Sequence, residues 1–148
     1  MATAKIVYAS MTGNTEECAN IVFDKLEELG LTVEIDEATS VEATDLENYD
    51  LVIAGPYTYG DGDLPDEMID LYEDLTDVDL AGKIYGCFGS GDTFYDDLYC
   101  KSVKDFDEKL AMTGATKGAE NVYVDLSPEE NDIVALEAFA TELAAKVQ

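Results

Sequence analysis

Lys5-Ile6-Val7-Tyr8-Ala9-Ser10-Met11-Thr12-Gly13-Asn14-Thr15-Glu16-Glu17 is the stretch that decides the fold. Its opening is nearly all apolar, as expected of a strand covered on both faces, and it runs into a turn of small polar residues. A helical pattern follows over about Asn14–Leu29, with Ala19, Val22, Leu26 and Leu29 on one face and Gly30 as its stop. Strand, polar turn and helix in that order open a β-α unit.

The same unit recurs along the chain. Leu31–Asp36, Leu51–Gly55, Lys83–Phe88 and Val122–Leu126 read as further strands. Ser40–Tyr49 reads as a loop or short helix, and Asp66–Leu75 and Cys100–Met112 read as helices, the latter ended by Gly114. The last helix opens at Ser127-Pro128-Glu129-Glu130, read as a capping serine, a proline at the first helical position and acids at the positive end of the dipole. Its apolar face is Ile133, Leu136, Ala140, Leu143 and Val147. Five such units in alternation predict a doubly wound, five-stranded parallel sheet with helices on both faces, in one domain over residues 1–148. Ligands of such sheets sit beyond the carboxyl ends of the strands, where strand order reverses.

Composition narrows the partners. Against 34 Asp+Glu stand 8 Lys+Arg, every one a lysine, for a net charge of −26. Nucleic acid and anionic membranes select basic surfaces and are disfavoured, whereas a basic protein partner is favoured. A solubility or salt adaptation explains the same charge. No apolar run approaches the roughly 20 residues of a membrane span. Met1–Lys5 lacks the basic and apolar regions of a signal peptide. Cys18, Cys87 and Cys100 are odd in number and widely spaced, and the chain has no histidine, so free thiols in the cytoplasm are expected and a metal site is not.

Three turns carry chemistry. After the first strand, Ser10, Met11, Thr12, Gly13, Asn14 and Thr15 place hydroxyls and amides at a helix N-terminus, which favours a phosphate. The lysine of a P-loop is missing, so one terminal phosphate fits better than a polyphosphate with Mg²⁺. An ordinary helix cap uses the same residues. After the third strand, Thr58-Tyr59-Gly60-Asp61-Gly62 joins an aromatic to a flexible turn, suited to a flat ring or to a plain surface turn. Leu64-Pro65 breaks the alternation that a Ca²⁺ loop needs. After the fourth strand, Ser90, Gly91, Asp92 and Tyr95 again combine small residues with an aromatic at the same sheet end.

Ile6 through Thr15, continuing through Ala19 to Val22, resembles the flavodoxin signature at every defined position. Thr58-Tyr59-Gly60-Asp61 resembles the family's second FMN loop, and Gly91-Asp92 through Tyr95 its third. The likeness covers the whole chain and is to the bacterial short-chain subgroup, because no long insertion lies between Ala115 and Leu126. It implies strand order 2-1-3-4-5, an order for which flavodoxin itself is the standing example, with FMN at the switch between strands one and three.

The resemblance further implies a low-potential one-electron carrier that holds FMN non-covalently, works mainly through the semiquinone/hydroquinone couple and is not an enzyme. Ser10, Thr12, Asn14 and Thr15, with amides from Met11 to Thr15, would bind the phosphate. Tyr59 and Tyr95 would cover the two ring faces, Gly60 would carry a peptide that turns toward N5, and Asp92 would approach the pyrimidine or ribityl edge. Met11 departs from the hydroxyl residue of many relatives, and Tyr59 from the Trp of several. Implied partners are redox enzymes with basic docking patches, namely donors of the flavodoxin or ferredoxin reductase type and oxidoreductase acceptors, met by a cytoplasmic monomer. A response-regulator receiver is excluded, since Ala9-Ser10, Pro56-Tyr57 and Leu126-Ser127 stand where its acids and lysine belong. A quinone or azo reductase usually needs a longer chain and a nicotinamide site, neither of which the sequence displays, and a carrier dedicated to one enzyme stays open as an alternative.

The purified protein is expected to be yellow, with one FMN per chain and much weaker binding of riboflavin. Equal affinities in an apoprotein titration would show that Ser10–Thr15 is not a phosphate loop.

Overall fold

The computed structural model describes residues 2–10, 13–57, 66–91, 101–125 and 127–147. Among the described residues six strands, β1 (Thr3–Tyr8), β2 (Thr32–Glu37), β3 (Leu51–Gly55), β4 (Ile84–Gly91), β5 (Thr116–Lys117) and β6 (Val122–Asp125), form one parallel sheet. Its order is β2-β1-β3-β4-β5, with β6 paired beside β5 on the same strand, β4. Helices α1 (Asn14–Glu28) and α4 (Glu130–Val147) bury one face of the sheet. Helices α2 (Asp66–Asp74) and α3 (Lys101–Met112) bury the other. The expected doubly wound sheet and its strand order are therefore present.

Burial on both faces explains the apolar strands: all five residues of β3 are buried. Lys5 is the exception in β1, only 5% exposed. Its ammonium meets Asp36 Oδ2 at 2.5 Å and Glu34 Oε2 at 3.8 Å on the adjacent β2, so its charge is taken up at the sheet edge. Tyr49 donates its phenol proton to Glu34, and that hydrogen bond, with burial, pushes the phenol up to about 12.

Helix α1 stops as its glycine predicts. Gly30 lies at φ 96°, its N–H bonds Glu27 O, and Leu31 N–H bonds Leu26 O. That is a Schellman ending, sealed by the buried Leu26 and Leu31.

Four readings need correction. β4 continues past Phe88 to Gly91, because Gly89, Ser90 and Gly91 pair with β6 instead of turning. The smallness of Gly89 serves close packing, since a Cβ there would lie 2.4 Å from both Pro56 O and Val103 Cγ2. The fifth strand is two segments, the first of which, Thr116–Lys117, is too short to show periodicity. Helix α4 starts at Glu130, two residues later than a Ser127 cap requires: Glu129 O accepts from Ile133 N, and Asp132 Oδ2 accepts from Glu129 N at 2.9 Å. Ile133 is accordingly 38% exposed and not part of the buried face.

A polar cluster ties α3 to the split strand. Asp107 Oδ1 accepts from Tyr85 OH at 2.6 Å, and its Oδ2 from Lys117 Nζ at 2.8 Å and Asn121 Nδ2 at 3.0 Å. Burial disfavours the charge on Asp107, but these three donors outweigh it and hold the carboxyl below its usual range. Among the described residues no helix is long and apolar enough to cross a membrane.

The depressed carboxyl fixes the sign of a pH effect. Its stabilisation is present above the ordinary carboxylate range and is lost as pH falls through the lowered folded value. Asp107→Asn should cost about 1–3 kcal/mol at neutral pH by urea unfolding, and the gap from the parent should close in acid. A gap that persists unchanged in acid would rule out an ionic role.

Candidate functional site

The carboxyl ends of β1, β3 and β4 lie side by side, and strand order reverses between β1 and β3. The ladder continues one step beyond the strands, through Ala9 N to Gly55 O at 3.1 Å and a parallel bridge between Tyr57 and Ser90. The sequence places its three unusual turns at these ends.

The first turn is built around Gly13. At φ 92° and ψ −8° it caps α1 in the left-handed region, and no side chain caps the helix. Gly13 N–H donates to Ser10 Oγ at 2.9 Å, which leaves the Ser10 proton available to a ligand. The amides of Asn14, Thr15 and Glu16 have no carbonyl one turn earlier in the helix, so they and the dipole favour an anion. Asn14 is half-buried in the first helical position. Thr15 is 1% exposed, and its hydroxyl lies 2.6 Å from that of Ser90. Tyr8 donates to Glu16 at 3.4 Å, and burial, followed by the Glu16 charge, raises its phenol above the usual value.

The second and third turns are framed by their flanks. Tyr57 is buried and donates to Glu67 Oε2 at 3.0 Å in the first turn of α2. Residues 58–65 are thus spanned by a direct tie between the residues near either end. Ser90 and Gly91 are buried in β4, opposite Val124 and Asp125. Of the residues expected at the site, Ser10, Gly13, Asn14, Thr15, Ser90 and Gly91 gather at this edge. Met11, Thr12, Thr58, Tyr59, Gly60, Asp61, Asp92 and Tyr95 lie outside the described residues.

Two connections escape sequence reasoning. The Tyr57–Glu67 tie is hidden because several acids follow Tyr57 and the sequence does not mark which of them its phenol reaches. The Thr15–Ser90 pair is hidden because its partners are 75 residues apart. Its one signal is a lone serine in an otherwise apolar strand.

The residues present fit a phosphorylated ligand. Among the described residues the helix start has no side-chain cap, the Ser10 proton has no acceptor, and the glycine between them has open space where a Cβ would stand. Strand order and site position define the flavodoxin-like class of doubly wound α/β proteins.

The flavodoxin family model matches residues 6–139. A solved flavodoxin of Streptococcus pneumonia TIGR4 is 64% identical, with TM-score 0.96 over 99% of this chain and 100% of that one. A short-chain flavodoxin associated with a non-canonical PDU bacterial microcompartment is 44% identical, with TM-score 0.98 over 100% of both chains. The Bacillus subtilis (strain 168) protein named Probable flavodoxin 1 is 42% identical over 141 residues, which is 95% of this chain and 89% of that protein. The chain belongs to the flavodoxin family, in its short-chain form. It is an FMN-binding electron carrier, and its family transfers electrons to redox partners without being enzymes.

Gly13→Ala should lower stability by about 1–2 kcal/mol, a conformational cost because no described residue stands within 4 Å of the new Cβ. Gly13→Asn should cost less, since Asn tolerates the left-handed region. Equal costs for both in urea unfolding would contradict the assigned backbone conformation.

Proposed function

We propose that this chain is a low-potential carrier that uses mainly the more reducing of the two one-electron steps of FMN, held at the β1/β3 switch point. Residues 1–148 act as a single flavin-binding domain, a monomer in the cytoplasm. The observation that carries this reading is the convergence of three strand ends on one uncapped helix start.

Ser10, Thr12, Asn14 and Thr15, with the amides of Met11–Thr15, would hold the phosphate. Thr58, Tyr59, Gly60 and Asp61 would hold one side of the ring, and Ser90, Gly91, Asp92 and Tyr95 the other. Bound FMN supplies the one-electron chemistry. The two tyrosines would exclude water from the ring faces, and the Gly60 peptide would offer a carbonyl to the ring edge. Asp61, Asp63 and Asp92 would disfavour added negative charge on the ring. A carboxylate about 10 Å away costs about 0.4–1.7 kcal/mol at an effective dielectric of roughly 20 to 80. Several of them would lower the potential of the second electron by on the order of 100 mV, since about 1.4 kcal/mol is about 59 mV.

Partners follow from charge. Asp66, Glu67, Asp70, Glu73 and Asp74 are exposed along α2, directly after the second turn. Donors of the flavodoxin or ferredoxin reductase type and oxidoreductase acceptors would meet this rim through basic patches, in short-lived complexes. Such fields act on encounter rate more than on affinity.

Stopped-flow reduction by a flavodoxin reductase should slow as salt rises from about 0.01 M to about 0.5 M, because the Debye length contracts from about 30 Å to below 8 Å. Neutralising Asp63, Asp66 and Glu67 together should flatten that slope, whereas neutralising Glu137 and Glu142 on α4 should not. Identical slopes for the two variants would reduce the charge to a bulk property.

A further inference from the structure

We propose that Ser90 is a positioning residue that makes the site selective for a phosphate over an uncharged end of the same flavin. Its hydroxyl acts through Thr15 and does not itself touch the phosphate. This rests on the reading of Ser10–Thr15 as the phosphate loop and adds a second tier to it.

Both members of the pair are almost wholly enclosed: Thr15 is 1% exposed, Ser90 5%, and their oxygens stand 2.6 Å apart. A hydroxyl carries one proton and two lone pairs, so only one of the two donates to the other. Among the described residues either oxygen suits the role of donor. An ionised phosphate fixes which one donates. Its oxygens only accept, so Thr15 must direct its proton outward to reach one. Its own lone pair is then filled by the Ser90 proton. A donor pointed into Thr15 polarises its O–H and strengthens its bond to an anion. An uncharged hydroxymethyl end both donates and accepts, so it selects neither direction and draws no such gain.

Ser90 is well placed for this role. Its backbone is held in β4 between the Tyr57 bridge on one side and Val124 of β6 on the other. The oxygen that orients Thr15 therefore rests on a strand anchored from both sides, on the same face of the sheet as α1. Thr15 is β-branched, and pairing with Ser90 also decides which branch, hydroxyl or methyl, faces the loop.

The test is titration of full-length apoprotein with FMN and with riboflavin, for the parent, Ser90→Ala, Thr15→Val and the double variant. Urea unfolding of each confirms that it is folded. Ser90→Ala is expected to weaken FMN about three- to tenfold, the worth of one net hydrogen bond, with riboflavin affinity held within about twofold. In the Thr15→Val background, Ser90→Ala should have no further effect on FMN. Parallel losses for both ligands would overturn the proposal and make Ser90 a support of the fold. Unchanged FMN affinity would overturn it as well. If Thr15→Val leaves the FMN-to-riboflavin ratio at the parent value, the phosphate reading fails too. If Thr15→Val lowers the ratio and Ser90→Ala does not, the Ser90 role alone fails. Should Ser90→Ala not fold, Ser90→Cys, of similar size but a weak donor, must show the same selective loss; a parental ratio in that variant overturns the proposal.

Discussion

Parallel pairing of β1 with β3 is the constraint on which the rest depends. A crossover between parallel strands is right-handed, so a connection leaving β1 toward β2 and one leading from β3 toward β4 cover opposite faces of the sheet. A cleft opens at their shared carboxyl edge because neither helix can cover it. α1 leaves from that cleft, and its first amides have no partners of their own within the helix. Ligand affinity thus begins as an unsatisfied backbone, produced by topology before any side chain is chosen.

Side chains then convert an edge into a joined site. Tyr57 is bonded through its backbone to Ser90 and through its phenol to Glu67. Ser90 reaches Thr15 through its hydroxyl. Each link is modest, of the order of 1 kcal/mol. Their effect is geometric: the residues that flank the three turns share one reference frame.

Much of this is legible in the sequence. The apolar run Leu51–Gly55 and the helix from Asn14 to its glycine stop are readable because burial on both faces and a left-handed C-terminal residue leave strong local patterns. The small residues Gly89–Gly91 mislead, since smallness marks both turns and close backbone packing, and only the neighbouring Pro56 carbonyl tells the two apart. Thr116–Lys117 leaves no trace because its pairing is decided by β4 and not by its own two side chains. The Ser127 cap fails because Asp132 offers Glu129 a better-placed carboxylate. At the site, residue types are readable and pairings are not. Thr15 and Ser90 reveal themselves only when the fold brings them together.

Lys5 and its neighbours bear on a different hazard. β2 ends the sheet, and an edge strand offers unpaired amides and carbonyls to any other strand. Glu34, Asp36 and Glu37 line it. The buried Lys5 takes up charge from Glu34 and Asp36 within the molecule, so acids are retained at the rim without leaving the interior unbalanced. A second copy approaching edge to edge would bring its own carboxylates against these. Those like charges oppose the continuation of the sheet into another copy, so the residues that close the sheet also guard its edge.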